Sequence, residues 1–338
     1  MGVIKKLLLL ICLLLLTGCG KVDKDKLIST FKNDVESSKS YVLESKMSIY
    51  NAEDTFEYDI KVLYMDDDYF KVDMINTLSN HEQVILRSGQ DVYVVTPSLN
   101  KSYKFVSEWP YNSSQSYILN SLVRDINEDT DIEFEADESG YTLKVDVNYP
   151  NNDDLKYEIL SFDKKMNLKS VFVYDMEDIV TIKVDFNKID YKANLSKDDF
   201  DVDKMIEENC CNSVVEDNTE ETGIFDDIVY PLYIPADTYL KNREMVNTEN
   251  GERVILTFNG AKNFVLIEEV SNVSDEFEII PVYGDPLMLS NTIGALSSNS
   301  LSWTENNRNY YLASNDLSPS EILSIADSLA VNNVVEEK

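Results

Sequence analysis

The sequence is poor in the residues that build catalytic and metal centres. Its 338 residues include one histidine, four cysteines and ten glycines. A single histidine excludes most zinc sites, and only His81 is available for a histidine-based catalytic triad. His81 lies in a polar turn between predicted strands, which favours a solvent-exposed residue. No glycine-rich phosphate loop and no Gly-x-Ser-x-Gly motif is present, so the sequence predicts no catalytic residue, no metal site and no cofactor.

Basic residues are also scarce. The chain has 30 lysines and arginines against 62 aspartates and glutamates, which gives a net charge of −32. A strongly anionic surface repels nucleic acid and anionic lipid headgroups. The sequence therefore predicts no nucleic-acid partner. Solubility alone explains the charge as well as any functional use does.

The first twenty residues have the layout of a lipoprotein signal peptide. Lys5 and Lys6 precede an apolar run that is shorter than the ~20 residues needed to cross a bilayer. The run ends at Leu16-Thr17-Gly18-Cys19, the leucine, small, small, cysteine order of a lipoprotein cleavage site. We predict that Cys19 is acylated and anchors the chain on the extracytoplasmic face of the cell membrane, since two acyl chains give a stable anchor. The alternative is an uncleaved signal peptide with a free thiol.

The pattern of apolar residues predicts an α+β protein. A helix is expected at 24–37, followed by strands in which apolar and polar residues alternate, as in an antiparallel sheet with one buried face. A second helix is predicted to start at Ser113 or Ser114, and a third, capped by Ser318, closes the chain. Asn259-Gly260 predicts a hairpin turn.

Two domains are expected after the signal peptide. Residues 196–223 are acidic and lack periodicity, which indicates an interdomain linker. This stretch contains Cys210 and Cys211, which cannot close an unstrained disulfide because they are adjacent. The predicted divisions are a signal peptide at 1–18, a lipidated tether at 19–23, a first domain at 24–203, an acidic linker at 204–223 and a small C-terminal α+β domain at 224–332.

One segment of the first domain is rich in large apolar and aromatic residues and leads into the second predicted helix. Either it forms an ordinary strand–turn–strand–helix core, or the sheet curls around the helix and leaves an apolar concavity between them. The candidate residues of this cavity and its helical cover are Val94, Leu99, Tyr103, Phe105, Trp109, Tyr117, Ile118 and Leu122.

The same segment carries a family resemblance. The run from Ile85-Leu86-Arg87 through Thr96-Pro97-Ser98-Leu99-Asn100-Lys101-Ser102 to Trp109-Pro110 and Ser114-Gln115 resembles the LolA-like lipoproteins of Gram-positive bacteria. This group includes the sporulation- and germination-associated lipoproteins GerS and YdcC. The resemblance covers residues 24–203 and implies an open, curved antiparallel half-barrel whose apolar concave face is covered by helices. The C-terminal region is similar to a small domain of unestablished function in Firmicute membrane and regulatory proteins.

The resemblance implies binding rather than catalysis. LolA-type carriers hold acyl chains in the half-barrel, but a chain tethered through Cys19 cannot shuttle between membranes. We therefore expect an envelope lipoprotein that binds a lipid, an acyl group or a partner protein in sporulation, germination or cell-wall maintenance, with the forespore or spore envelope as one location. The alternative is a protein-interaction regulator with no lipid ligand. Its partner would be a cell-wall hydrolase, as the likeness to GerS implies, or an anti-sigma factor, as the likeness to RseB implies.

Overall fold

The computed structural model describes residues 22–51, 54–66, 68–205, 227–248, 251–271 and 277–331. The predicted lipidation site Cys19 lies outside these residues, as do Cys210, Cys211 and most of the predicted linker. Among the described residues, no helix is both long and apolar enough to span a bilayer.

The protein consists mostly of β-strands, with few helices. The elements of the first part are α1 (Lys24–Glu36), β1 (Ser40–Tyr50), β2 (Thr55–Met65), β3 (Tyr69–Asn76), β4 (Glu82–Ser88), β5 (Asp91–Thr96), β6 (Lys101–Phe105), α2 (Leu119–Glu128), β7 (Glu133–Ala136), β8 (Gly140–Asp146), β9 (Leu155–Asp163), β10 (Leu168–Asp175) and β11 (Val180–Asp190). Those of the second part are β12 (Val229–Pro231), β13 (Thr238–Thr248), β14 (Gly251–Gly260), β15 (Phe264–Val270), β16 (Glu278–Val282), β17 (Asp285–Met288), β18 (Ile293–Leu296), β19 (Ser300–Glu305), β20 (Arg308–Ala313), α3 (Pro319–Asp327) and β21 (Leu329–Val331).

Twelve of the described strands form one large sheet. Its order is β16-β6-β5-β4-β3-β2-β1-β11-β10-β9-β8-β7. Neighbouring strands are antiparallel except at one edge, where β16 from the second part of the chain runs parallel to β6 and Glu278 pairs with Lys101. The two parts of the chain therefore share a sheet.

The main core lies on one face of this sheet, which we call the inner face. Leu27, Phe31 and Val35 are spaced by four along α1, so they share one side of the helix, and all three are buried against the sheet. Asp23 caps the helix by accepting a hydrogen bond from the Lys26 backbone N–H at 2.9 Å. The helix predicted at 24–37 is thus confirmed, and its apolar stripe covers the inner face.

The start predicted for the second helix is wrong. Neither Ser113 nor Ser114 caps it, because α2 begins only at Leu119. Ser114 is bonded elsewhere: its backbone N–H donates to the Asn148 carbonyl oxygen, and its Oγ accepts from the Asn148 N–H. Ser114 therefore satisfies its hydrogen-bonding groups through a distant residue instead of by capping the helix. The spacing of residues in the sequence does not reveal such a partner.

The segment 196–205 is not part of a free linker, contrary to our interpretation of 196–223. Ser196 and Asp199 form a capping box around a short 3₁₀ turn, and the chain then packs on the opposite, outer face of the sheet. Phe200 and Met205 are buried there against strand residues. The strand residues of this second cluster are Leu63, Val84, Leu86 and Val95.

The second part of the chain has its own core. Seven strands in the order β13-β14-β15-β20-β19-β18-β17 form a sheet that packs against α3. The predicted cap of α3 is confirmed, since Ser318 and Glu321 form a capping box with Pro319 in the first turn. The predicted pairing of β14 with β15 is also correct, but the turn follows Gly260. Gly260 itself stays in the sheet opposite Thr238, at a positive φ of 138° that suits glycine.

Candidate functional site

The structure separates the eight predicted cavity residues into three places. Leu99 is buried in the turn between β5 and β6. Four others are core residues around α2, and three line a cleft between the inner face and the second part of the chain. The core residues are Trp109, Tyr117, Ile118 and Leu122, and the cleft residues are Val94, Tyr103 and Phe105.

A loop before β18 closes the inner face from the side opposite to the helices. The buried Gln83 is central to this contact: its Oε1 accepts from the Ile293 backbone N–H at 3.0 Å and from the Thr292 hydroxyl at 3.3 Å. Nearby, the Tyr58 hydroxyl donates to the Ser290 carbonyl oxygen at 2.7 Å. Because these buried polar groups satisfy one another, they fix the register between the two parts of the chain.

The cleft has a volume of about 220 Å³. Its walls are apolar and aromatic, with polar groups at one end. Trp303 and Tyr310 on the far side are cross-strand partners, and their rings stack with centroids 5.1 Å apart. Further apolar wall residues from the second part of the chain are Ile280, Val282, Ile293 and Ala295. A cleft of this kind accepts an apolar group and excludes water from it.

The two faces of β6 differ in their chemistry. Lys101, Tyr103 and Phe105 alternate along the strand and all face the cleft. Lys104 points to the outer face, where its Nζ lies 3.0 Å from Asp91 Oδ2. Lys101 is only 8% exposed, and burial lowers its pKa from the ordinary lysine value while the neighbouring Glu278 charge raises it. Lys101 therefore contributes a buried amine to a cleft that is also lined by the polar residues Gln83, Thr96, Ser302, Thr304 and Asn309.

Two carboxyl groups are buried in the core, that of Asp125 on α2 and that of Glu158 on β9. Burial raises the pKa of Glu158 well above its ordinary value, and the Asp125 charge raises it further. Burial also raises the pKa of Asp125 to about 6, although the Ser114 hydroxyl and Arg124, whose Nε lies 3.6 Å away, lower it. Burial and the Asp125 charge therefore both favour the protonated form of Glu158.

Two half-buried acids, Asp327 and Glu305, support the loop before β18. The Ser290 backbone N–H donates to Asp327 Oδ1 at 2.8 Å, and the Asn291 amide donates to Glu305 Oε1 at 2.7 Å. Burial raises the pKa of both acids, and that of Asp327 reaches about 6. The loop before β18 is thus hydrogen-bonded to Tyr58 and Gln83 on one side and to these two acids on the other.

A larger hollow of about 380 Å³ lies on the outer face. Its walls are mainly polar and include the ion pair of Lys71 Nζ with Asp73 Oδ1 at 3.4 Å. Among the described residues, no group of three or more histidine, cysteine, aspartate or glutamate side chains could hold a metal ion. Because the cleft on the inner face has more apolar walls, it is the better candidate for binding an apolar group.

Sequence reasoning missed the far wall of the cleft. Trp303 and Tyr310 were predicted only as parts of strands, and nothing in their spacing indicates that they face another domain. Trp109 lies in the inner-face core, whereas Trp303 belongs to the core of the second part of the chain and also lines the cleft.

No protein-family model matches the chain. The chain is 33% identical over 321 residues to the sporulation protein YdcC of Bacillus subtilis (strain 168), which covers 95% of this chain and 94% of that protein. Two solved structures are more distant. The match to a putative outer membrane lipoprotein-sorting protein domain from Vibrio parahaemolyticus covers 54% of this chain and 97% of that chain, with 13% identity and a TM-score of 0.34. The match to the structure of the CwlD amidase from Clostridioides difficile in complex with the GerS lipoprotein covers 51% of this chain and 98% of that chain, with 12% identity and a TM-score of 0.32.

The family is decided by the sequence identity and not by these low-scoring structural matches. The identity extends over almost the full length of both proteins, so it includes the segments that form the two sides of the cleft. As the resemblance in the sequence predicts, this chain belongs to the family of the sporulation protein YdcC.

Proposed function

We propose that this protein is a sporulation-associated envelope lipoprotein that binds an apolar group between a LolA-like half-barrel and a C-terminal domain. The observation that carries the proposal is the apolar cleft of about 220 Å³. Pockets for drug-sized ligands measure ~300–1,000 Å³, so the cleft suits the end of an acyl chain or an apolar side chain of a partner better than a whole lipid.

The half-barrel is the part of the large sheet whose inner face packs against α1 and α2. Residues 24–203 supply the helices and all strands of that sheet except β16. The proposed C-terminal domain, 224–332, covers the remaining opening through the loop before β18. The ligand would enter between these two units, where the contacts are hydrogen bonds between side chains and loop backbone.

Membrane anchoring through Cys19 is part of the same proposal. Replacing Cys19 by alanine is expected to abolish incorporation of labelled palmitate and to move the protein out of the membrane fraction, because the thioether cannot form. Cys12→Ala is the matched control, since it removes the other cysteine of the first twenty residues and should leave labelling intact. Labelled palmitate retained by the Cys19 variant would contradict the anchor.

Binding in the cleft is tested by filling it. Ala295 is buried in the cleft wall, so Ala295→Leu places three additional carbon atoms in the space that the ligand would occupy. We expect uptake of a fluorescent acyl probe by the full chain to fall at least tenfold. Ala261→Leu, at an exposed turn, is the control and should bind the probe like the unmodified chain. If the unmodified chain takes up no probe, acyl binding is wrong.

A second function is favoured by one specific observation. Trp109, Tyr117, Ile118 and Leu122 fill the inner-face core, so most of the proposed half-barrel is occupied by its own side chains. In this alternative the protein is an interaction regulator of a cell-wall hydrolase or an anti-sigma factor and has no lipid ligand. Such a purified partner should bind the full chain and its Ala295→Leu variant equally well, whereas a partner that inserts a side chain into the cleft should lose affinity.

A further inference from the structure

The polar end of the cleft indicates what kind of ligand it takes. We infer that the ligand is a small amphiphile with a carboxylate, which Lys101 binds while a short apolar tail occupies the space beside Trp303. This inference rests on the proposed function, because it assigns a chemical class to the ligand of the same cleft.

Lys101 is placed to meet a ligand. It lies on the same side of β6 as Tyr103 and Phe105, and it lines the cleft together with them. Its side chain is almost completely buried, with 8% of the residue exposed. A lysine at a strand end normally extends into water, so this orientation places an amine inside the apolar site.

The hydrogen-bonding capacity of Lys101 is largely unused. An ammonium group has three donors, and the bond recorded for Lys101 Nζ is to Ser271 Oγ at 3.3 Å. Among the described residues it forms no ion pair within 4.0 Å. A buried charge is costly unless it is paired, so an incoming anion would supply the missing partner.

A second donor lies next to Lys101. Thr96 on β5 is its direct cross-strand partner and also lines the cleft. The Thr96 Oγ1 accepts a hydrogen bond from Gln83 Nε2 at 3.3 Å, which leaves its own O–H free to donate. An ammonium and a hydroxyl side by side match the two oxygens of one carboxylate.

The rest of the cleft limits the size and polarity of the ligand. Trp303 and Tyr310, whose rings stack on each other, line the cleft together with Val94 and Phe105. The volume of about 220 Å³ lies below the ~300–1,000 Å³ of pockets for drug-sized ligands. A carboxylate with a tail of a few carbons satisfies these limits. Such a group occurs in a fatty acid and at the C-terminus of a peptide that ends in an apolar residue.

Matched probes separate the charge from the tail. The full chain, reconstituted in phosphatidylcholine vesicles, is titrated with hexanoate and with hexan-1-ol, which have the same chain length. N-acetyl-leucine and its uncharged amide form a second pair that represents a peptide C-terminus. Trp109→Phe leaves Trp303 as the only tryptophan, so its fluorescence reports binding in the cleft, and calorimetry on the chain without that change gives an independent Kd.

We expect the carboxylate of at least one pair to bind tenfold or more tightly than its neutral match. The pair that binds identifies the source of the ligand. Lys101→Met should abolish that preference, and Lys101→Arg should retain it. Lys104→Met is the matched control, because it removes a lysine from the outer side of the same strand and should leave the preference unchanged.

The outcomes distinguish this inference from the proposed function. If the neutral probes bind the unmodified chain as tightly as the carboxylates, or if Lys101→Met keeps the preference, the carboxylate inference is wrong and an apolar cleft remains. If no probe binds at all, the proposed function fails and the inference fails with it. The comparison on the unmodified chain stands even if Lys101→Met does not fold.

Discussion

Replacing Phe200 by alanine is expected to lower the free energy of unfolding by about 3–5 kcal/mol, the range for large-to-small changes at buried aromatic residues. Phe200 is 1% exposed, and its ring lies 5.5 Å from the ring of Tyr69 on the outer face of the sheet. The substitution leaves a cavity between the strands and the segment that follows β11. Urea unfolding of the full chain, followed by circular dichroism, measures the change.

The control for Phe200→Ala is a truncation on the surface. Leu78 is 84% exposed, so Leu78→Ala should change the free energy of unfolding by less than about 0.5 kcal/mol. A loss below about 1 kcal/mol for Phe200→Ala would mean that 196–205 is a loosely attached linker after all. A large loss establishes that this acidic segment is part of the fold.

Raising the pH from 5 to 8 is expected to destabilise the protein, and Glu158→Gln should remove much of that effect. In the folded state the pKa of Glu158 is raised by burial and by Asp125, whereas in the unfolded chain it returns to about 4.3. Between these two values the folded state binds more protons than the unfolded state, so stability falls as the pH rises. For one such group, each pH unit between these two pKa values lowers the stability by about 1.4 kcal/mol.

The measurement is the free energy of unfolding of both proteins at pH 5, 6, 7 and 8. Glutamine is neutral throughout, so the variant should match the parent protein near pH 5 and exceed its stability at pH 8. In Glu158→Gln, the remaining dependence of the free energy of unfolding on pH comes from Asp125 and Asp327, whose pKa values are each raised to about 6. Glu138→Gln, at an exposed turn, is the control. Parallel curves for the parent and Glu158→Gln would contradict a protonated Glu158.

Local signals in the sequence predicted local structure well. The alternation of apolar residues in β1 to β6 and the capping box of Ser318 with Glu321 depend on neighbours a few residues away, and both were identified correctly. The start of α2 was wrong because Ser114 is bonded to Asn148, a partner that its own neighbourhood does not indicate. Phe200 and Met205 were missed because two apolar residues in an acidic stretch make no periodic pattern.

The candidate site was predictable from one side only. Val94, Tyr103 and Phe105 were named from the run of large apolar and aromatic residues, and they line the cleft, while their role in binding stays a prediction. Trp303 and Ala295 come from the C-terminal part of the chain, and their role depends on how that part meets the inner face. Lys101 belonged to the family motif. The alternation of side chains along β6 shows which residues share a face of the strand, but not whether that face meets the core, solvent or another domain.

The parallel pairing of β16 with β6 has a consequence for biogenesis. Synthesis starts at the N-terminus, so β6 is complete long before the residues that will cover its edge. An uncovered strand edge is a template for association with other chains. A chain shortened before residue 278 would therefore keep the edge of β6 open to such association.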